Sequence, residues 1–177
     1  MTLAIGNKVI YPCQGPCLIG AVVERIVDDR PMMFYQLLAL NNGGGKLFVP
    51  VDNIEAIGIR PLLKKSEIPK LLEMLKKPTR LANNRLDRTC NNLKLLTSGS
   101  AFALAEIIES LTKLSETKAL SFGDSSILER AKKLLICEVA EVMRETEEEA
   151  EKRVEQALKA GREERTSVLL TERDPTA

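Results

Sequence analysis

Arginine and asparagine residues recur at helical spacing in the segment RLANNRLDRTCNNLKLLTSG, which spans residues 80–99. Guanidinium and amide groups on one helix face can donate hydrogen bonds to phosphate oxygens, and phosphate contacts of this kind supply most sequence-independent affinity for nucleic acids. On a helical wheel, Asn84, Arg88 and Asn91 share one face. Arg85 flanks that face, which is either a DNA-binding surface or an ordinary solvated surface.

The same helix needs an apolar face to pack on a core. Leu86, Cys90, Leu93 and Thr97 follow a helical period on the opposite side from Arg88, so we expect them to be buried.

Charge is distributed unevenly in a chain whose net charge is only +1. Residues 60–94 hold ten Lys or Arg and three Asp or Glu, whereas residues 138–157 hold eight acidic and three basic residues. A basic segment in a nearly neutral chain is typical of a region that meets a polyanion, although solvated helix faces give the same pattern.

Catalytic and metal-binding patterns are largely absent from the sequence. The chain has no histidine, which removes the commonest general base and metal ligand. Cys13 and Cys17 lack the second ligand pair of a structural zinc site, and NNGGGK lacks the spacing of a phosphate-binding loop. We therefore expect no catalytic residue, no metal and no cofactor, and hence a protein that is not an enzyme.

The N-terminal sequence has neither a basic region nor the apolar core of a signal peptide, and no apolar run is long enough to span a membrane. These features predict a cytoplasmic protein that does not associate with membranes. The four cysteines are then expected to be free thiols.

The spacing of apolar residues changes after about residue 60, from the period of a β-strand to that of a helix, and this change divides the chain into two parts. Short β-rich segments separated by turns fill the first sixty residues: KVIYP, CLIGAVVERIV, MMFYQLLAL, KLFVP and a last short strand, AIGIRP, with a turn at DDRP. They predict a small SH3-like or Tudor-like β-barrel. Helical periodicity follows, with expected N-caps at Ser66, Ser100 and Asp124, a capping box at Thr146 and Glu149, and a helix end at Gly161. Two of the helices are expected to bury apolar stripes, which consist of Ala103, Ile107, Leu111 and Leu114 in one and Ile127, Ala131, Leu134, Leu135, Val139 and Val142 in the other.

The fold class is therefore α+β, a barrel followed by a compact bundle of about five helices. We expect a β domain over residues 1–62, a helical domain over 63–161 and a mobile tail over 162–177.

The order of several motifs resembles the CarD/CdnL family of bacterial transcription regulators. The resemblance rests on GNKVIYPCQGPCLIGAV, LFVPVDNIEAIGIRPLL, NNLKLLTSG and LSFGDSSILERAKKLLICEVA, and it extends from Ile5 to about Leu158. It implies an N-terminal domain similar to the polymerase-interacting domain of transcription-repair coupling factor, followed by a helical DNA-binding domain.

In such a protein the first domain binds the RNA polymerase β subunit. The second contacts promoter DNA at the upstream edge of the transcription bubble and modulates the stability of the open complex. We expect the protein to act as a monomer.

The resemblance also implies roles for individual residues. Arg25 matches a basic position that relatives use against the polymerase, and a second such position falls at Leu47, between Lys46 and Phe48. Relatives press a tryptophan against the minor groove near the start of the DNA-contacting helix, but this chain has Arg85 there and no tryptophan anywhere.

The DNA contact predicted from Asn84, Arg85, Arg88 and Asn91 is therefore electrostatic rather than intercalating. The alternative is a divergent adaptor or competitor that binds the polymerase but lacks the wedge-like contact that the tryptophan of relatives makes with the minor groove.

Overall fold

The computed structural model describes residues 3–40, 44–77 and 85–171, which form a five-stranded sheet and six helices. The strands are β1 (Lys8–Tyr11), β2 (Gly15–Val27), β3 (Arg30–Ala39), β4 (Lys46–Pro50) and β5 (Arg60–Pro61). The helices are α1 (Ile54–Ile57), α2 (Ile68–Lys76), α3 (Arg85–Thr97), α4 (Ala101–Thr117), α5 (Phe122–Met143) and α6 (Glu147–Thr171). The predicted α+β class is confirmed, and α2 to α6 are the five helices of the bundle.

The sheet is antiparallel and open, with strand order β4-β3-β2-β1-β5. Closure into a barrel, as predicted, is not observed among the described residues, because β4 and β5 lie at opposite edges. Part of the segment predicted to be the last strand forms α1 instead. Gly58 ends α1 with a left-handed φ of 83°, which leaves only Arg60 and Pro61 to form β5.

The long β2–β3 hairpin turns at Asp28 and Asp29, whose φ angles are 50° and 58°. Two consecutive positive φ values match the two-residue turn that suits the twist of a hairpin, and aspartate tolerates this conformation. The turn predicted from DDRP is therefore confirmed.

Alternating residues of the strands cover a core on one face of the sheet, as the period of two requires. Ile19 lies opposite Leu37, which in turn lies opposite Leu47 on β4. The buried members of this core are Leu3, Val9, Cys17, Ile19, Leu37, Val49, Ile54 and Ile59.

The helical core is built around α4, which contacts α2, α3 and α5. Its predicted apolar positions Ile107, Leu111 and Leu114 are buried, whereas Ala103 is only partly buried. The predicted stripe on α5 is also confirmed, with Ile127, Ala131, Leu135 and Val139 buried and Leu134 and Val142 packed against the core.

Three helix starts test the predicted caps. Ser100 Oγ accepts from the Ala103 amide, and Thr146 and Glu149 form the predicted capping box. Asp124 is not the N-cap of α5, because Ser121 takes that position and accepts from the Asp124 amide.

The predicted N-cap at Ser66 is also wrong. Ser66 lies inside a short 3-10 turn, Lys65–Glu67, that precedes α2. Glu67 is the last residue of that turn, and its carboxylate accepts from the Lys64 amide.

Helix α6 continues through Gly161, where the sequence predicted its end, and reaches Thr171. A Cβ at Gly161 would lie 2.7 Å from the Cα and carbonyl oxygen of Lys76. The glycine therefore allows α6 to pass close to the backbone of α2, and it is not a helix stop. Residues 162–171 belong to the helix rather than to the predicted tail, and residues 172–177 lie outside the described part of the chain.

One arginine joins the sheet to the bundle. Arg60 donates to both carboxylate oxygens of Glu138, over 2.7 and 2.8 Å, and its Nε donates to the Gly99 carbonyl oxygen over 2.7 Å. Glu138 is 1% exposed and also accepts from the Leu63 amide. This bidentate contact fixes the sheet relative to α5 and to the α3–α4 connection.

Candidate functional site

Two residues predicted to contact the polymerase meet on one face of the sheet. Arg25 on β2 and Phe48 on β4 flank β3, and the guanidinium carbon lies 3.6 Å from the centroid of the Phe48 ring. Arg25 remains exposed, so the ring orients the guanidinium without removing it from solvent. The result is an accessible cation held over an aromatic ring.

Lys46 and Leu47 differ in their placement. Lys46 is exposed, whereas Leu47 packs against the core of the sheet on the face opposite Phe48. The alternation of β4 therefore separates Leu47 from the Arg25–Phe48 surface.

Strand β4 lies at an edge of the sheet, and among the described residues it pairs only with β3. Its outer row of backbone N–H and C=O groups can pair with a strand from another protein. The Arg25–Phe48 surface lies beside this edge, so side chains that could select a partner adjoin a backbone that could bind one.

Helix α3 is rotated relative to the prediction. Its buried positions are Arg88, Asn92 and Leu96, whereas the positions predicted to be buried, Cys90, Leu93 and Thr97, are exposed. Leu86 was also predicted to be buried, and the structure describes only its backbone. The prediction that Arg88 lies on the exposed face is therefore wrong.

Arg88 is buried because α5 supplies its partner. Its Nη2 lies 3.1 Å from Asp124 Oδ2, and that oxygen also accepts from the Ser121 hydroxyl over 2.9 Å. Arg88 is 6% and Asp124 2% exposed. The buried ion pair holds Arg88 on the packed face of α3. Leu93, on another side of the same helix, is exposed instead.

The ion pair is only partly satisfied. Arg88 Nε, Asn92 Nδ2 and Asp124 Oδ1 are buried and have no hydrogen-bond partner within residues 3–40, 44–77 and 85–171. Unpaired buried polar atoms cost stability. We therefore expect α3 to be held less firmly than α4 or α5.

The other predicted DNA-binding residues fall in three situations. Asn91 is exposed on α3, as predicted. Arg85 is the first residue of α3, and Asn84 lies outside the described residues. Lys94, which was not among the residues predicted to contact DNA, is exposed one turn after Asn91. It could have been selected as a cation three residues from Asn91.

The two buried cysteines, Cys17 and Cys137, offer no reactive thiolate. Burial raises the pKa of Cys17 to about 11, and burial together with the charge of Glu147 raises the pKa of Cys137 to about 11. Both remain protonated at neutral pH. Within the described part of the chain, no group of three His, Cys, Asp or Glu residues could hold a metal ion.

No helix in the described ranges is both long and apolar enough to cross a membrane.

Comparisons with known proteins identify the two halves separately. The family profile described as "CarD-like/TRCF RID domain" matches residues 3–63, and the profile "CarD, C-terminal domain" matches residues 70–155. A Bacillus subtilis (strain 168) protein named "Putative transcription factor YdeB" is 22% identical over 147 residues, which is 82% of this chain and 95% of that protein. The solution NMR structure of the N-terminal domain of Myxococcus xanthus CarD is 32% identical and covers 34% of this chain and 79% of that domain, with a TM-score of 0.29.

Proposed function

Because the chain belongs to the CarD-like family of transcription regulators, we propose that it binds the RNA polymerase β subunit through its sheet and contacts promoter DNA through its helical domain. The DNA contact lies near the upstream edge of the transcription bubble and modulates the stability of the open complex.

The observation that carries this proposal is that an ion pair between Arg60 and the buried Glu138 joins the two family domains. The exposed Arg25 lies over Phe48 beside the edge strand β4, and Arg60 connects the sheet to Glu138 on α5. A protein with such a connection holds its DNA-contacting helices at a fixed position relative to the polymerase.

A fixed tether makes weak DNA contacts effective. Once the sheet binds the polymerase, the helical domain meets DNA at a high local concentration, so a few phosphate contacts suffice. If those contacts are stronger in the open complex than in the closed complex, the protein shifts the equilibrium toward the open complex.

The placement of Arg88 changes the residues assigned to that contact. Arg88 is a positioning residue, since its buried guanidinium orients α3 against α5. The direct contacts are then assigned to Arg85, Asn91 and Lys94 at the start and on the exposed face of α3, of which only Arg85 and Asn91 were predicted from the sequence.

Binding to the isolated β subunit tests the first half of the proposal. Arg25→Glu should reduce binding at least tenfold, because it replaces the accessible cation and removes its stacking on Phe48. Arg30→Glu makes the same charge change at an exposed position near the hairpin turn and should bind like the wild type. Equal binding by the two variants would refute the assigned surface.

The burial of Arg88 and the absence of tryptophan favour a second candidate, an adaptor or competitor that binds the polymerase without stabilising the open complex. The lifetime of promoter open complexes separates the candidates. The leading proposal predicts a changed lifetime on addition of the protein, whereas the adaptor leaves the lifetime unchanged and blocks other ligands of the β subunit.

A further inference from the structure

A small cavity lies at the junction of the sheet and the bundle, between the turn that joins β1 to β2 and the middle of α5. Its volume is about 200 Å³, and its lining consists of Cys13, Gln14, Arg130, Lys133, Leu134 and Cys137. None of these residues carries a carboxylate. Three other surface cavities in the described part of the chain each have at least one glutamate in their lining. The cavity at the junction therefore has a positive lining that these three lack.

The two cations of this cavity, Arg130 and Lys133, lie one turn apart on α5 and repel each other. Both are exposed, and neither forms an ion pair within the described part of the chain. Arg130 Nη2 donates to the Cys13 carbonyl oxygen over 3.4 Å, which is long for a guanidinium. Farther along α5, Glu141 pairs with Lys8 of β1. The contact between α5 and the sheet is therefore balanced in charge at Glu141, whereas it has excess positive charge at Arg130 and Lys133.

The turn that forms the opposite wall of the cavity is held in place on both sides. Pro12 lies between two glycines, since a Cβ at Gly99 would be 3.0 Å and a Cβ at Gly58 would be 3.5 Å from its Cγ. The next residue, Cys13, has a φ of 63°, and its thiol donates to the Leu96 carbonyl oxygen over 3.7 Å. Because this wall is already fixed by packing, a ligand of the cavity has few groups to order.

The donors of the cavity define the chemistry of its ligand. A guanidinium and an ammonium one turn apart, opposite the amide side chain of Gln14, are donors that bind phosphate oxygens. Volume limits the size of the ligand, because cavities for drug-sized molecules begin near about 300 Å³. The cavity therefore has room for one or two phosphate groups and not for a whole nucleotide.

We propose that this cavity binds one phosphate group, or two linked ones, of a small free compound, which contacts Arg130 and Lys133 and bridges the β1–β2 turn to α5. Such a ligand connects the sheet to the bundle at a second point, in addition to the contact of Arg60 with Glu138. This inference goes beyond the proposed function, since it requires neither polymerase nor DNA.

Calorimetric titration of the full chain with inorganic diphosphate, at constant ionic strength and in a buffer without phosphate, measures this binding. Arg130→Gln and Lys133→Gln should each weaken it by about tenfold, because each removes a charge-assisted hydrogen bond. Lys132→Gln is the matched control. It removes the same charge from α5, but Lys132 lines a groove that also contains Glu129 and Glu147, so its loss should change the affinity less than about twofold.

Thermal unfolding separates loss of binding from loss of folding. Diphosphate at ten times its Kd should raise the Tm of the wild type by about 3–6 °C. Without diphosphate, Arg130→Gln and Lys133→Gln should unfold within about 1 °C of the wild type, because both side chains are exposed. In an NMR titration, the side-chain amide signals of Gln14 should shift with diphosphate, which places the ligand in the cavity.

Titration of duplex DNA into the diphosphate complex distinguishes a free ligand from the DNA backbone, and we expect the diphosphate to stay bound. Displacement of diphosphate by DNA, together with equal losses of affinity for both in Lys133→Gln, would assign these cations to the DNA surface and overturn the inference. Wild-type protein that binds no diphosphate, or equal weakening by Lys132→Gln and Lys133→Gln, would also overturn it. Each of these results leaves the Arg25→Glu test of the proposed function unaffected.

Discussion

Two ion pairs, each with a buried carboxylate, differ in how completely their polar atoms are satisfied. At the sheet–bundle junction, Arg60 and Glu138 form a bidentate pair, and the Gly99 carbonyl and Leu63 amide complete it. At the α3–α5 contact, Arg88 and Asp124 share one hydrogen bond, and each keeps a buried atom without a described partner. The junction is therefore a rigid connection, whereas α3 is an element that DNA could stabilise further.

The largest expected effect is at the junction. Arg60→Ala leaves Glu138 buried without its charge partner, which typically costs about 3–5 kcal/mol of unfolding free energy. Denaturant unfolding measures this loss. Arg130→Ala is the control, because Arg130 also reaches across the junction, to the Cys13 carbonyl over 3.4 Å, but is exposed and should cost less than about 0.5 kcal/mol. A loss below about 1 kcal/mol in Arg60→Ala would contradict the rigid connection.

A smaller effect is expected at α3. Arg88→Ala should cost about 2 kcal/mol, because Asp124 keeps the Ser121 hydroxyl and the unpaired Arg88 Nε is removed with the side chain. Backbone amides of α3 should then exchange with solvent faster, while those of α4 change little. The double variant Arg88→Met with Asp124→Leu should recover much of the loss. If Arg88→Ala costs as much as Arg60→Ala, the proposed difference between the two pairs is wrong.

Substitution of two glycines, Gly161 and Gly123, tests helix packing in place of charge pairing. Gly161→Ala places a Cβ 2.7 Å from the Lys76 backbone and should cost about 1–3 kcal/mol, although alanine favours helix. Gly123→Ala meets no atom within 4 Å and should be neutral or stabilising by up to about 1 kcal/mol. Equal Tm shifts in the two variants would show that α2 and α6 do not pass as closely as described.

The smallest effect is at a helix cap outside both regions. Thr146→Ala should cost about 1 kcal/mol at neutral pH, the usual value for an N-cap. Hydrogen bonds from the backbone and side chain of Thr146 lower the pKa of Glu149 below its ordinary value. A lowered folded-state pKa stabilises the protein above the unfolded pKa, and this stabilisation is lost as pH falls through the folded value. The difference between wild type and Thr146→Ala should therefore shrink below about pH 4; a constant difference would exclude a contribution from Glu149.

Local patterns predicted the parts of the fold that depend on local chemistry. The strands KVIY and KLFVP, the Asp28–Asp29 turn and the capping box at Thr146 follow from turn, cap and β-strand preferences, and the structure contains them. The buried stripes of α4 and α5 follow from apolar periodicity.

The features that the sequence did not predict depend on partners distant in the chain. The orientation of α3 depends on Asp124, which lies 36 residues after Arg88, and no local wheel includes that contact. In the sequence, Gly161 resembles the glycine that ends a helix. Only the close approach of the Lys76 backbone shows that this position requires a residue without a Cβ. Of the predicted polymerase-binding residues, Arg25 and Phe48 do lie together, but their role remains a prediction.

A footprint of the protein on a polymerase–promoter complex reports attachment to the polymerase and DNA contact at the bubble edge in one measurement. We expect added protection at the upstream edge of the bubble, lost in Arg25→Glu and retained in Arg30→Glu. Absence of added protection at that edge, or protection that persists in Arg25→Glu, would refute the proposed function.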